Sequence, residues 1–218
     1  MTGEQFAIFD VDHTITRKST GRRLVQCGRR SGICSISDLL KVPVLYAKYR
    51  RGTLQLDGLT ESIDNLAGRT REELSAVARE CFKRYITGDV MPGARDLVQA
   101  HLSAGEVVIF ATSSIDLVIE PLAELLGAHH VIATALEFRD GVATGGVEGE
   151  PCLGGEKLRR AARLVASLEG DLNDAVFYSD SHHDEPLMMA CGRAVAVNPD
   201  KRLRAIARRE KWQILEFR

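Results

Sequence analysis

Nowhere does the 218-residue chain carry the roughly 20 consecutive apolar residues that a bilayer-spanning helix needs. Met1-Thr2-Gly3-Glu4-Gln5 lacks the basic opening of a secretory signal, so neither export nor membrane insertion is expected. There is no surplus of charge: 29 basic residues stand against 30 acidic ones, a formal net charge of -1, which gives no whole-molecule field to draw nucleic acid or an anionic membrane. The five cysteines (Cys27, Cys34, Cys81, Cys152, Cys191) are odd in number, scattered and without a CxxC pair. That excludes a disulfide framework or a zinc ribbon as the first reading and points to reduced, buried thiols in the cytoplasm. Internal repeats and low-complexity segments are also missing. What is left, with 44% hydrophobic and 27% charged residues, is a globular chain able to bury a substantial core, either as one large domain or as a core with an insert.

Short apolar runs at 6–9, 107–111, 131–133, 175–179 and 194–197 mostly do not alternate with polar residues, as expected of parallel strands covered on both faces. Together with intervening helical patterns they predict an α/β fold with a doubly wound parallel sheet. Nearly a hundred residues separate the first two runs, far beyond an ordinary crossover, and they carry helical patterns at 21–30, 36–50, 59–67 and 71–87. A helical cap inserted after the first strand is the expected arrangement, bounded by the turn formers of 16–20 and 88–93. Asp140-Gly141, flanked by β-formers from Leu136 to Thr144, predicts a hairpin.

Chemistry concentrates where the strands end. The first strand runs into Asp10-Val11-Asp12-His13-Thr14, so two carboxylates leave the carboxyl edge of the sheet, where open α/β folds bind ligands. The second runs into Thr112-Ser113-Ser114, hydroxyls and backbone N–H groups just ahead of a helix, a plausible phosphate cradle. Residues 175–179 run into Asp180-Ser181-His182-His183-Asp184, and Gly154-Gly155-Glu156-Lys157 presents a lysine at the start of another helix. Carboxylates gathered this closely need a cation among them, and an all-oxygen set favours Mg²⁺. Mg²⁺, Lys157 and Thr112 would then surround a phosphoryl group, with Asp10 as nucleophile and Asp12 as proton donor and acceptor.

The order Asp10-x-Asp12-x-Thr14, Thr112, Lys157, Asp180-x-x-x-Asp184 resembles the four signature motifs of the haloacid dehalogenase superfamily over essentially the whole chain. The stretch from Thr112 to Ser181 looks like its phosphoserine phosphatase-like branch, and the insert looks like a helical C1 cap. The resemblance implies a Rossmannoid core over 1–17 and 90–218 and a cap over 18–89. It implies Mg²⁺-dependent phosphomonoester hydrolysis of a small metabolite through an aspartyl-phosphate on Asp10, with Asp12 as acid and base. The metal would be held by Asp10, the Asp12 carbonyl and Asp180, with Asp184 acting through water or by positioning Lys157. Thr112, Lys157 and Ser113 would hold the phosphoryl oxygens. Two departures bear on substrate: residues 16–23 contain no glutamate to meet a substrate amine, and His183 stands where the relatives have asparagine. L-phosphoserine falls in rank accordingly, and an anionic or neutral phosphomonoester touched by Arg17, Arg22 or Arg23 rises.

Plainer readings compete at several positions. Thr112 also reads as a helix cap, Lys157 taken alone as a solvated lysine, and His182-His183 as polar residues facing solvent in preference to a zinc site. Arg22, Arg23, Arg29, Arg30, Arg50 and Arg51 include solvated helix positions, residues 201–211 read as a solvated helix face, and Trp212 as core. The apolar stretch Val42-Pro43-Val44-Leu45-Tyr46 fits a pocket lining, a dimer face or cap packing. A phosphotransferase or mutase of the same superfamily, or a non-catalytic binding protein on the same fold, are the alternative functions.

Overall fold

The computed structural model of the chain describes residues 5–33 and 66–217. The helical pattern at 36–50, residues 59–65 of the next one, the stretch 42–46, Cys34, Arg50 and Arg51 lie outside the described residues. Within the expected cap, 18–89, the described residues are 18–33 and 66–89.

Six parallel strands form the sheet, in the order β3-β2-β1-β6-β7-β8. They are β1 (Phe6–Phe9), β2 (Val107–Ile115), β3 (His130–Thr134), β6 (Ala175–Ser179), β7 (Arg193–Val197) and β8 (Gln213–Leu215). β1 lies inside the sheet between β2 and β6, and all four of its residues are apolar and buried, as a parallel strand covered on both faces requires. Its period of two sends Ala7 and Phe9 into one hydrophobic cluster and Phe6 and Ile8 into the other, on the opposite face of the sheet. Register places Phe9 beside Phe110 of β2 and Tyr178 of β6. Asp10 therefore emerges between the ends of both neighbours.

Between β1 and β2 the described residues form α1 (Thr20–Arg30) and α2 (Arg71–Cys81); α2 continues through one π-helical turn, Phe82–Ile86, into Thr87–Asp89. Thr70 and Glu73 start α2 with a reciprocal capping box. Cys27 of α1 and Val77 and Cys81 of α2 belong to the same buried cluster as Val11 and Ile15. The chain then forms α3 (Pro92–Ser103), with proline in its first turn, and after β2 the helix α4 (Asp116–Leu126), which ends on Gly127 at φ 79°. The hairpin expected at Asp140-Gly141 is present as β4 (Leu136–Arg139) and β5 (Val142–Val147), with positive φ at both turn residues, 50° and 79°. The remaining helices are α5 (Gly155–Ser167), α6 (Glu185–Ala190) and α7 (Lys201–Arg209).

Three differences from the sequence reading have local causes. β2 continues to Ile115 through a register shift after Ala111, because Thr112 Oγ1 accepts from Ser114 N at 3.2 Å and a side chain takes a backbone donor from the ladder. β8 has three residues at the sheet edge, too short a run to show a period. α5 begins at Gly155, ahead of Leu158, where the apolar pattern that predicts a helix over 158–168 starts. Of residues 201–211, the stretch 201–209 forms a largely solvated helix in which Leu203 and Ala207 turn inward, and Trp212 packs at the rim of the core.

Candidate active site

The end of β1 is held before any acid acts. Asp10 N donates to Tyr178 O at 2.9 Å, continuing the ladder by one residue, and Val11 is fully buried. The chain then turns sharply: Ile15 N and Thr16 N both donate to Val11 O, at 2.8 and 3.0 Å, and His13 takes a left-handed conformation at φ 64°. Two acids separated by one buried valine are thereby fixed at the carboxyl edge of the sheet.

Lys157 is the side chain that gathers them. Its ammonium is 1% exposed and donates to Asp10 Oδ1 at 2.9 Å and to Asp184, lying 2.9 and 2.7 Å from the two carboxylate oxygens. A solvated lysine is thus ruled out. Ser179, the last residue of β6, donates from Oγ to Asp184 Oδ2 at 2.7 Å. Burial pushes the Asp10 carboxyl up to about 7; Lys157 works against that shift and the nearby Asp184 carboxylate adds to it. Asp184 is wholly buried and committed to Lys157 and Ser179, which suits it to positioning that lysine.

Asp12 faces a different set of donors. Thr20 supplies its backbone N–H at 2.9 Å and its hydroxyl at 2.7 Å to Oδ1, and Ser114 Oγ lies 3.3 Å from Oδ2. The Thr20 and Ser114 hydroxyls are themselves 2.7 Å apart. Thr112 is 1% exposed at the irregular end of β2; its oxygen accepts from Ser114 N, which leaves its hydrogen to donate elsewhere. The neighbouring Ser113 carbonyl is anchored by the Thr134 hydroxyl at 2.9 Å.

Asp180 follows β6 directly and is 6% exposed, and its carbonyl accepts from Asp200 N at 2.8 Å. Asp200 also caps α7 through Arg202 N and Leu203 N and meets the His182 ring at 2.8 Å. The loop after β6 is therefore pinned to the start of α7. The His182 and His183 rings lie with centroids 4.0 Å apart at a tilt of 39°, and among the described residues no three His, Cys, Asp or Glu side chains form a metal-binding group. That disfavours zinc at the histidines. It is compatible with Mg²⁺, which usually keeps several waters and takes only one or two carboxylates. Asp10 and Asp180 could supply those, with the Asp12 carbonyl as a third oxygen.

The arginines divide. Arg23 pairs with Asp89, Nε to Oδ2 at 2.6 Å and Nη2 to Oδ1 at 3.1 Å, and lies over the Tyr85 ring at 4.9 Å. Its guanidinium is committed to holding α1 against the segment before α3. Arg17 and Arg22 are exposed. Sequence reasoning missed Thr20, Ser179 and Asp200, and it placed Ser114 in the phosphate cradle and not beside Asp12. Only Ser179 carried a local signal, as a hydroxyl closing an apolar strand.

The family model for haloacid dehalogenase-like hydrolases matches residues 7–189. A phosphoserine phosphatase of Mycobacterium tuberculosis is 35% identical over 97% of this chain and 70% of its own length. A histidinol-phosphatase of Neisseria meningitidis serogroup C is 31% identical over 99% of this chain and 100% of its own. A crystal structure of a protein of unknown function from Bordetella pertussis superposes with a TM-score of 0.88 at 32% identity, covering 98% of this chain and 99% of that one. A substrate-bound phosphoserine phosphatase shares the fold at a TM-score of 0.73 and 20% identity, over 99% of this chain and 94% of that one. The chain belongs to the haloacid dehalogenase-like hydrolases, on their phosphoserine phosphatase-like side, and is a phosphatase of that family.

Proposed function

We propose that this haloacid dehalogenase-type phosphatase hydrolyses phosphomonoesters of small alcohols in two steps at Asp10. A carboxylate oxygen of Asp10 attacks phosphorus. The bond to the leaving alcohol breaks, and its electron pair stays on the alcohol oxygen, which takes the proton of Asp12. Water then attacks the aspartyl-phosphate and gives a proton back to Asp12; the bond from phosphorus to the Asp10 oxygen breaks and phosphate leaves. Asp10, Asp180 and the Asp12 carbonyl would hold Mg²⁺, whose chemistry there is to neutralise the phosphoryl oxygens and the acids around them. Lys157 and the Thr112 hydroxyl would hold the remaining phosphoryl oxygens, with Ser113 beside them.

The observation that carries this reading is the buried contact of Lys157 with Asp10 and Asp184. A lysine withdrawn from water between two acids places a cation where phosphoryl charge must be met. Residues 18–89 serve as the cap over the leaving group, with Arg22 the arginine most open to an anionic substrate and Arg23 a brace within the cap. The similar enzymes include a phosphoserine phosphatase and a histidinol-phosphatase, and no acid stands among residues 16–23 to receive an amine.

Phosphate release from a panel of phosphomonoesters that includes phosphoserine and histidinol phosphate tests the proposal, with wild type and Asp10→Asn each assayed in Mg²⁺ and in EDTA. Mg²⁺-dependent turnover lost in the variant supports it. Turnover only when a second, acceptor molecule is added would favour a phosphotransferase.

A further inference from the structure

The two acids of the site are held by different means: Asp10 by a buried cation, Asp12 by hydroxyls. Thr20 is fully buried at the first turn of α1, in the segment between β1 and β2, whereas Ser114 is 9% exposed on β2. The two hydroxyls come from positions 94 residues apart and still meet at 2.7 Å over the Asp12 carboxylate. Thr20 contributes twice, through N–H and Oγ1, to Oδ1, and the one Ser114 hydroxyl proton is shared between Asp12 Oδ2 at 3.3 Å and the Thr20 oxygen at 2.7 Å. A carboxylate turns about one terminal torsion with a broad energy well. Two donors on Oδ1, with the Ser114 hydroxyl against Oδ2 and the Thr20 hydroxyl, fix that torsion, as neighbouring groups do for a well-aimed catalytic acid.

Both donors depend on scaffolding around them. Ser114 is placed by the register shift in β2, where its N–H goes to Thr112 Oγ1. Thr20 is placed by α1, which Ser19 caps and the Arg23–Asp89 pair ties down. We infer that Thr20 and Ser114 are positioning residues that aim Asp12 at the leaving-group oxygen. They couple the seating of α1 on the core to proton delivery. This inference rests on the reading of Asp12 as general acid given above.

The test exploits the leaving group. An alkyl phosphate needs its departing oxygen protonated, whereas p-nitrophenyl phosphate releases a stable phenolate and needs that proton little. kcat/KM reports the step in which this bond breaks, and the ratio of the two substrates is independent of how much protein is folded. The variants are Thr20→Val, which keeps the shape and the backbone N–H, Thr20→Ser, which restores the hydroxyl, and Ser114→Ala. Asp12→Asn serves as reference.

The expected result is that Thr20→Val lowers kcat/KM on glycerol phosphate by about tenfold more than on p-nitrophenyl phosphate, a fraction of what a general acid typically supplies. Ser114→Ala shifts the ratio in the same direction and Thr20→Ser returns it toward wild type. Equal losses on both substrates in Thr20→Val, with Asp12→Asn still discriminating, would overturn this inference alone. If Asp12→Asn itself did not discriminate, the general-acid reading would fall and this inference with it.

Discussion

Lys157 and Asp10 stand 147 residues apart in the chain and meet at 2.9 Å, the lysine 1% and the aspartate 6% exposed. Lys157 also holds Asp184, so one cation compensates two acids. Taking one partner from a buried ion pair leaves uncompensated charge behind, which typically costs about 3–5 kcal/mol. Lys157→Ala is expected to lose stability on that scale, read as a lower urea midpoint, together with phosphatase activity. Lys157→Met, which keeps most of the volume, should lose nearly as much, because it is the charge that is missing.

The raised Asp10 carboxyl predicts how stability depends on pH. Its folded value of about 7 lies above the ordinary 3.8, so the folded state holds this proton more tightly than the unfolded chain. The stabilisation is complete below 3.8 and is lost as pH rises toward about 7. Asp10→Asn should therefore melt higher than the wild type in EDTA at alkaline pH, with the difference shrinking in acid. Mg²⁺ should raise the alkaline melting temperature of the wild type more than that of the variant. Thermal melts of both proteins at two pH values, with and without Mg²⁺, check each part.

Arg23 and Asp89 are expected to act as a structural pair. Hydrogen bonds to charged groups contribute about 1.5–3 kcal/mol each, so the bidentate contact between these mostly buried side chains should show strong coupling in a double-mutant cycle. Arg23→Met and Asp89→Asn should resemble one another in stability and kinetics. A rise in KM confined to Arg23→Met would return that arginine to substrate binding.

Gly192 precedes β7, and a Cβ there would lie 1.9 Å from the carbonyl oxygen of Asn173. The obstacle is backbone, which cannot rotate aside as a side chain does. Gly192→Ala should destabilise by at least about 1–3 kcal/mol, the usual cost of overpacking, with KM unchanged in the fraction that folds. Denaturant unfolding and kinetics on the folded fraction test it.

The legibility of each residue in the sequence follows the range of the interaction that fixes it. β1 and β6 could be read because unbroken apolar runs ending in acids are local patterns, and they locate Asp10, Asp12 and Asp180 at one sheet edge. The Asp140-Gly141 turn could be read because positive φ at two successive residues is a property of the dipeptide. Lys157 was legible only through motif order, since nothing near it in sequence says that the helix turns it inward. Thr20 and Ser114 lie 8 and 102 residues from the acid they hold, and the tertiary fold alone brings them together. Arg23 read as a ligand contact because its partner, Asp89, is 66 residues away.

An acyl phosphate on Asp10 is tested most directly by quenching the enzyme in acid during turnover of a phosphomonoester with Mg²⁺ and mapping the phosphorylated peptide by mass spectrometry. The expected result is a single base-labile phosphoryl group on the peptide that contains Asp10, absent from Asp10→Asn. A phosphoryl group on another residue, or undiminished phosphate release by Asp10→Asn, would contradict the mechanism.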